Sequence, residues 1–143
     1  MLRSLTLADM SAIRHINDVS LGYPVTLETT EKQFQKISQN PKHMLIGFEA
    51  HSSQQIIGYV HAEVYESLYS EAGLNVLALA VLPNSQGLGI GKALMQGLEE
   101  KAKVAGFAFI RLNSGSHRKE AHAFYQQLGY KGDKTQLRFI KEL

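Results

Sequence analysis

The chain contains no cysteine among its 143 residues, which excludes disulfide bonds, thiolate metal sites and any reaction that passes through a cysteinyl intermediate. No apolar run approaches the roughly 18 residues needed to cross a bilayer. The N-terminal segment MLRSLTLADM also lacks the sustained apolar stretch of a signal peptide. We therefore expect a cytoplasmic protein with no membrane partner.

A strong net charge of one sign is also missing. The chain has 15 basic and 13 acidic residues, so its formal net charge is only +2. Such a balance argues against bulk electrostatic binding to nucleic acid. The total conceals an asymmetry between the two parts of the chain. Residues 1–91 hold 5 basic and 8 acidic side chains, whereas residues 92–143 hold 10 basic and 5 acidic ones.

Proline is scarce, and no repeat or low-complexity linker divides the sequence, so we predict a single domain over residues 1–143. Helical spacing after N-cap candidates at residues 6–9 predicts a helix that ends near Ser20. Thr30 and Gln33 form a capping box, which predicts that a short second helix starts there and carries Phe34 on its apolar face.

Alternating residues then predict a β-hairpin, with a polar turn at residues 51–55. In its second strand Val60, Ala62 and Val64 share one face. The opposite face is aromatic and ionisable, and consists of Tyr59, His61, Glu63 and Tyr65. Residues 74–82 carry no charged side chain, as expected for a strand covered on both faces near the centre of a sheet.

The remaining pattern predicts a helix ended by Gly106, a strand at residues 107–113, a helix ended by Gly129, and a final strand at residues 136–140. The order predicts an α/β (α+β) fold built on a mixed sheet.

A glycine-rich loop at residues 86–92 leads from the buried strand into a helix N-terminus, a geometry that presents free N–H groups to an anion. It is not a nucleotide-binding P-loop, because Ala93 stands where Ser or Thr should hold magnesium. Nor is it a dinucleotide fingerprint, because Lys92 or Leu94 occupies the position of the third glycine. The remaining pattern is Gln-x-x-Gly-x-Gly, starting at Gln86.

This pattern resembles the pyrophosphate loop of the GCN5-related N-acetyltransferases, the GNAT family. The segment AHAFYQQLGY at residues 121–130 resembles a second motif of that family, Ala-x-x-Phe-Tyr-x3-Gly-Phe/Tyr. Within the family, residues 116–125 and 138–141 are similar to those of small-molecule, aminoalkylphosphonate-type enzymes. The resemblance implies a mostly antiparallel sheet with a splayed parallel pair, flanked by about four helices, and acetyl-CoA as cosubstrate.

The resemblance also implies where the coenzyme binds. One strand would hold the pantetheine arm, with a backbone N–H near Ala80 or Val81 facing the thioester oxygen, and the glycine loop would wrap the pyrophosphate. Arg118 departs from the asparagine frequent in the family and could meet a coenzyme phosphate instead. The implied coenzyme-binding residues are Leu79, Ala80, Val81, Gln86, Gly87, Leu88, Gly89, Ile90, Gly91, Lys92, Asn113, Arg118 and Phe124.

Acyl transfer to an amine needs a base for the amine proton and an acid for the departing thiolate. Tyr125 stands where the family has its general-acid tyrosine, and a phenol with a pKa of about 10 suits a thiolate leaving group. Glu63 is the first candidate for the base, with Glu71 and His61 in reserve. A water chain without a dedicated base remains an alternative.

We expect Tyr23, Glu28, His61 and Tyr65 to contact the acceptor. We expect no metal site, since His117 and His122 are the only closely spaced histidines and do not share a helix face. An adventitious ion held by His61 with Glu63 is the alternative. The predicted function is transfer of acetyl to a primary amine of a small molecule by direct attack in a ternary complex. A peptide amine, an aminoglycoside or noncatalytic acyl-CoA binding are the alternatives. The acidic and basic parts of the chain would suit a cationic acceptor and a polyanionic coenzyme, and a homodimer is expected from the family.

Overall fold

A five-stranded sheet organises the first part of the chain in the computed structural model, which describes residues 1–143. The residues form two units, Met1–Leu112 and Asn113–Leu143. The sheet has the order β1-β2-β3-β4-β5. Its strands are β1 (Leu2–Arg3), β2 (His43–Glu49), β3 (Ile56–Ser67), β4 (Ser70–Val81) and β5 (Ile110–Leu112). The helices of this unit are α1 (Met10–Ile16), α2 (Leu27–Ser38) and α3 (Ile90–Ala105), and α4 (Lys119–Gln127) belongs to the second unit.

The pairing of the strands confirms the predicted mixed sheet. Strands β1 to β4 pair antiparallel, and β4 pairs with β5 in parallel over three residues of each strand. The number of helices, four, agrees with the expectation from the family resemblance. The predicted hairpin is β2 and β3, joined by the polar turn at residues 51–55.

The two faces of β3 pack against different helices, as its alternating sequence predicts. Val60 and Ala62 are fully buried on one face, where α3 supplies its own apolar stripe of Leu94, Met95 and Leu98. On the other face Tyr59 packs into a cluster with Met10, Ile13 and Ile16 from α1 and Ala80 from β4. Complete burial of each large aliphatic side chain contributes about 1.5–3 kcal/mol, so both layers hold the sheet in place.

The start of α2 differs from the prediction. The helix begins a turn earlier than the predicted capping box, at Leu27, and its N-cap is Thr26, whose hydroxyl accepts a hydrogen bond from the Thr29 N–H at 3.1 Å. Thr30 lies inside the helix, buried, and its hydroxyl donates to the Thr26 carbonyl at 3.0 Å. Two threonines at this spacing offer two capping registers, and the structure uses the earlier one.

Strand β4 contains a bulge at Leu77. His61 pairs with Ala78 and the next residue, Ala62, pairs with Val76, so Leu77 has no partner on β3. Its side chain is 48% exposed, which corrects the expectation that residues 74–82 are covered on both faces throughout. The bulge reverses the alternation of β4 from this point onward.

The predicted final strand at residues 136–140 is wrong. After Gly129, which ends the α4 segment with φ +95°, the chain has neither helix nor strand. Leu137 and Phe139 are 83% and 89% exposed. Alternating side chains give a segment the capacity to pair as a strand, but they do not supply the partner strand that completes the hydrogen bonds.

The helices and the ionisable side chains exclude two kinds of feature from this structure. No helix combines the length and the apolar character needed to cross a membrane. No group of three or more His, Cys, Asp or Glu side chains is arranged to hold a metal ion.

The position of the α2 cap makes a prediction about stability. Replacing Thr26 by Ala removes the hydrogen bond to the Thr29 N–H and should lower the free energy of unfolding by about 1 kcal/mol. Replacing Gln33, which would matter only if the helix started at Thr30, should change it by less than about 0.5 kcal/mol. Urea unfolding of both variants measures the difference, and a larger loss for Gln33→Ala would place the cap at Thr30.

Candidate functional site

The glycine loop forms an open cradle at the N-terminus of α3. Gly87 and Gly89 have φ values of +80° and +81°, a conformation that favours glycine. A side-chain carbon built on either residue would meet no other atom within 4 Å, so the backbone borders open space. The N–H groups of the first turn of α3 have no acceptor within the helix. The loop residues therefore fit a bound pyrophosphate, as the resemblance implies.

The loop is tied to the end of β4 by one carbonyl oxygen. The Val81 oxygen accepts a hydrogen bond from the Gln86 side chain at 3.1 Å and another from the Ser20 hydroxyl at 2.9 Å. Ser20 lies in the π-helical turn Asn17–Leu21 that follows α1, and Asn17 of the same turn accepts a hydrogen bond from the Tyr59 hydroxyl. Burial raises the pKa of Tyr59 to about 12, so this phenol stays protonated as a donor.

Strand β4 continues beyond its parallel partner. The last β4–β5 pair is Val76 with Leu112, whereas β4 runs on to Val81 and stays paired with β3 on its other side. Residues 77–81 therefore present a strand edge that no neighbouring strand covers. Such an edge offers backbone N–H and C=O groups to an extended amide chain, which is the chemistry of a pantetheine arm. The expected residues Leu79, Ala80 and Val81 lie on this segment.

A polar surface crosses four strands of the sheet on the face that carries Tyr59. We call it the polar face, and it consists of His43, His61, Glu63, Tyr65, Asn75 and Arg111. Cross-strand register brings these residues together: His43 pairs with Glu63, Glu63 with Asn75, and Asn75 with Arg111. The side chains of directly paired residues lie on the same side of a sheet.

Two histidines of the polar face contact each other. His43 Nδ1 and His61 Nε2 are 2.9 Å apart, and the ring centroids are 5.1 Å apart. Burial, and after it the neighbouring His43, lowers the pKa of His61 to about 4, and Glu63 opposes this shift. His61 is therefore neutral at pH 7.

A second chain of contacts runs from Glu63 to Tyr65. Asn75 Nδ2 donates to Glu63 Oε1 at 3.3 Å, and Arg111 Nη1 donates to Asn75 Oδ1 at 2.7 Å. The Arg111 guanidinium lies 4.7 Å from the centroid of the Tyr65 ring, which also meets Phe109 edge to face. The amide of Asn75 thus bridges the Glu63 carboxylate and the Arg111 guanidinium.

The second unit carries the tyrosine expected to act as the acid. Tyr125 is half-buried on α4, and its ring meets those of Phe124 and Tyr130 edge to face, with centroids 5.1 and 6.1 Å away. Burial raises its pKa, and the charge of Arg118 opposes that rise. The phenol is therefore protonated at neutral pH, as a general acid must be before it donates.

The other expected residues of this unit lie near the start of α4. Arg118 is its N-cap, and His122 Nε2 lies 2.9 Å from the Gly115 carbonyl oxygen in the loop before the helix. Asn113 follows directly after β5. The hydroxyl of Ser114, the next residue, is buried and has no hydrogen-bond partner. Burying a hydroxyl without a hydrogen-bond partner costs free energy. A polar ligand group that formed a hydrogen bond with Ser114 would therefore be stabilised at this place.

Two expected acceptor contacts lie away from the polar face network. Tyr23 is 64% exposed in the segment before α2. Glu28 is exposed on the first turn of α2 and forms an ion pair with Lys32 at 3.7 Å. Neither contacts the residues of the polar face.

Three members of the polar face, His43, Asn75 and Arg111, were not expected from the sequence. Only the pairing register of the strands brings these three residues to the polar face. The hairpin of β2 and β3 has a bulge at Phe48 and Glu49, which shifts every later pair by one residue. If the residue pairs were counted outward from the turn without this bulge, the His43 side chain would be placed on the opposite face of the hairpin.

Comparison with known proteins identifies the fold and the family. The model of the acetyltransferase (GNAT) family matches residues 10–130. The aminoalkylphosphonate N-acetyltransferase of Salmonella typhimurium is 40% identical over 65 residues, a match that covers 46% of this chain and 41% of that protein. The chain thus matches less than half the length of that relative.

Two solved structures share the fold. The aminoglycoside 6'-N-acetyltransferase of Acinetobacter baumannii superposes with a TM-score of 0.84 at 17% identity, over 100% of this chain and 98% of the other. The glucosamine-6-phosphate N-acetyltransferase of Arabidopsis thaliana superposes with a TM-score of 0.81 at 19% identity, over 99% and 98%.

The depressed pKa of His61 predicts how stability depends on pH. Between its ordinary pKa of 6.5 and its folded value of about 4, the unfolded chain binds the proton more readily than the folded chain does. The free energy of unfolding should therefore fall as the pH falls from 6.5 to 4, and the fall should be shallower in His61→Asn.

Urea unfolding across this pH range measures how the free energy of unfolding depends on pH, and a histidine NMR titration measures the pKa of His61. His51→Asn, in the exposed hairpin turn, is the matched control and should keep the slope of the unaltered protein. An NMR midpoint for His61 at 6.5 or above would contradict the prediction.

Proposed function

Because the chain belongs to the acetyltransferase (GNAT) family, whose model matches residues 10–130, we propose that it moves acetyl from acetyl-CoA to a primary amine of a small molecule. The amine attacks the thioester directly, within a ternary complex. The absence of cysteine supports direct attack, since no thiol is present to carry the acetyl group.

The proposal rests on the order of two features along the chain. The free edge of β4 ends at Val81, and the glycine cradle follows within a few residues. An extended amide chain paired with the edge would therefore lead to a pyrophosphate at the N-terminus of α3. A coenzyme that joins an amide-containing arm to a pyrophosphate has the matching order of groups.

Several residues are assigned to the coenzyme. Leu79, Ala80 and Val81 hold the pantetheine arm, and a backbone N–H near Ala80 or Val81 stabilises the thioester oxygen as charge develops on it. The loop amides of residues 86–92 bind the pyrophosphate. Asn113, Arg118 and Phe124 complete the coenzyme contacts.

The polar face is assigned to the acceptor. Its Glu63 takes the proton that the ammonium group must lose, and the nitrogen lone pair then attacks the thioester carbon. As the C–S bond breaks, Tyr125 donates its phenolic proton to the sulfur. His61 and Tyr65 line the acceptor site, and Tyr23 and Glu28 are assigned to its outer wall.

A small acceptor is supported by the relatives. The names of the three relatives describe acetylation of an aminoalkylphosphonate, an aminoglycoside and glucosamine-6-phosphate, all of them small molecules. A peptide amine as acceptor, or acyl-CoA binding without transfer, are the competing functions. An assay of acetyl-CoA consumption with aminophosphonates, amino sugars, polyamines, aminoglycosides and peptides distinguishes all of them.

The acid role of Tyr125 predicts the effect of one substitution. With an amine that the protein acetylates, Tyr125→Phe should lower kcat about 100-fold, because the thiolate must then leave without a proton. Binding of acetyl-CoA should change by less than about threefold, since the ring and its contacts with Phe124 and Tyr130 remain. Steady-state kinetics and calorimetric titration measure the two effects.

The matched control is Tyr130→Phe, which removes a hydroxyl from the neighbouring ring and should leave kcat within about threefold. An unchanged kcat in Tyr125→Phe would show that the acid is another group. Failure of every amine to consume bound acetyl-CoA would instead support the noncatalytic function.

The base role of Glu63 predicts a change in pH dependence. In Glu63→Gln the rate depends on the small fraction of amine that is already neutral, so kcat/KM should fall about 100-fold at pH 7. The loss should shrink as the pH approaches the pKa of the amine. Asn75 can still donate to the amide oxygen, so the fold of the polar face is kept.

Glu71→Gln is the control, because Glu71 is an exposed carboxylate on β4 and one of the two reserve candidates for the base. Its kcat/KM should stay within about twofold of the unaltered enzyme. A loss confined to Glu71→Gln would transfer the base role to that residue.

A further inference from the structure

The side chain of Ser20 is fixed to the end of the free edge of β4. Its hydroxyl donates to the Val81 carbonyl oxygen at 2.9 Å, and the Gln86 side chain donates to the same oxygen at 3.1 Å. Two donors occupy the two lone pairs that a backbone carbonyl oxygen offers. Ser20 itself belongs neither to the coenzyme residues nor to the polar face.

The pairing of β4 with β3 determines which way the backbone groups of Val81 point. The Leu82 N–H donates to the Ile57 carbonyl oxygen at 2.9 Å, so these two residues form a hydrogen-bonded pair. Hydrogen-bonded and non-hydrogen-bonded pairs alternate along an antiparallel ladder. The next pair, Gly58 with Val81, is therefore a non-hydrogen-bonded one. The N–H and the C=O of Val81 both point away from β3, into the free edge.

The same alternation separates the two backbone N–H groups expected near the thioester oxygen. Ala80 pairs with Tyr59 one position further along, so its N–H points toward β3. The Val81 N–H points to the side on which a pantetheine arm would bind. Because the N–H and the C=O of this residue lie on the same side of the strand, a side chain that holds the Val81 oxygen also restricts the direction of the Val81 N–H.

Ser20 is the more rigid of the two donors to the Val81 oxygen. It is half-buried, whereas Gln86 is exposed, and its hydrogen bond is the shorter one. A serine side chain has fewer rotatable bonds than a glutamine side chain, so it loses less conformational entropy when it is held in one position. Partial burial also strengthens the hydrogen bond by lowering the local dielectric constant.

The turn that carries Ser20 is itself fixed to β3. In this π-helical turn, Asn17–Leu21, the Asn17 side chain accepts a hydrogen bond from the Tyr59 hydroxyl. The Asn17 carbonyl oxygen accepts another from the Tyr23 N–H at 2.9 Å, which closes the turn. Single π-helical turns are rare and occur frequently at functional sites. This one joins two neighbouring strands, since Asn17 is bound to β3 and Ser20 to β4.

We propose that Ser20 is a positioning residue for acetyl transfer. Its hydrogen bond to the Val81 oxygen aims the Val81 N–H at the thioester oxygen of bound acetyl-CoA, and the π-helical turn holds the Ser20 hydroxyl in place for this. Ser20 neither touches the substrates nor exchanges a proton with them. The inference rests on the proposed acetyl transfer, because both use the free edge of β4.

The thioester carbonyl reports the hydrogen bond from Val81 without any transfer. Acetyl-CoA labelled with carbon-13 at the acetyl carbonyl is bound in the absence of an amine, and isotope-edited infrared spectroscopy measures its carbonyl stretch. A hydrogen bond to the carbonyl oxygen lowers this frequency. Ser20→Ala should lose at least about half of the lowering that the unaltered protein produces, because the donor is no longer held in line with the oxygen.

The same variant should separate turnover from binding. Removal of a whole donor to the developing oxyanion costs about 100- to 1,000-fold in kcat, and a donor that is misdirected should cost less. We therefore expect Ser20→Ala to lower kcat about tenfold. The Kd for acetyl-CoA should change less than about threefold, because the glycine cradle still binds the pyrophosphate.

Two further variants distinguish the hydrogen bond from the packing of the side chain. Ser20→Cys keeps the shape of the side chain but replaces the hydroxyl by a weak donor, so it should behave like Ser20→Ala in both measurements. Ser11→Ala, which changes an exposed serine on α1, is the matched control and should leave the carbonyl frequency and kcat unchanged.

Hydrogen exchange tests the anchor in the protein without coenzyme. The Leu82 N–H belongs to the same peptide group as the Val81 oxygen, so a looser strand end exposes it more often. Ser20→Ala should speed the exchange of this amide at least about tenfold, and Ser11→Ala should not change it. NMR of the uniformly labelled protein measures both rates.

The outcomes separate the positioning role from acetyl transfer itself. An unchanged kcat and carbonyl frequency in Ser20→Ala overturn the positioning role and leave the transfer intact. A loss of kcat without a change in the carbonyl frequency, or a Ser20→Cys variant that behaves like the unaltered protein, also overturns it. Leu82 exchange indifferent to Ser20→Ala overturns the anchor. If no amine consumes acetyl-CoA, the proposed transfer fails, and the carbonyl frequency still decides whether Ser20 directs the Val81 N–H.

Discussion

The parting of β4 from β5 after Val76 and Leu112 is the constraint on which the rest of the structure depends. Backbone N–H and C=O groups that are buried without a hydrogen-bond partner are costly. Here β4 continues alone on that side and is held elsewhere. Strand β3 pairs with it along its other edge, and the Val81 oxygen at its end accepts two side-chain hydrogen bonds. The free edge exists because other contacts hold the strand in place.

The bulge at Leu77 lets β4 contribute side chains both to the polar face and to the packed core. His61 and Glu63 share a face of β3, and their partners on β4 are Ala78 and Asn75. In an unbroken strand these two partners, three residues apart, would point in opposite directions. With the bulge, Asn75 joins the polar face while Ala80 still packs against α1. The polar side chains and the packed core are thereby placed next to each other on the same side of the sheet.

The sequence predicted the elements whose signal is local. The alternation of Val60 with Glu63 and their neighbours predicted both faces of β3, and the glycines at 87, 89 and 91 predicted the cradle before α3. What it did not predict depends on pairing between distant residues. The contact of His43 with His61, and of Arg111 with Asn75, requires the register across two bulges, which no local pattern encodes. Residues 136–140 show the converse, a strand-like pattern that has no partner strand in the structure.

Strand β2 contributes to the polar face from the side of the sheet opposite the free edge of β4. His43 is the first residue of β2, and its Nδ1 lies 2.9 Å from Nε2 of His61 on β3. Burial is the larger cause of the lowered pKa of His61, and the neighbouring His43 is the second. Both causes favour the neutral ring of His61. The pairing of β2 with β3 therefore helps to set the protonation state of a side chain in the middle of the polar face.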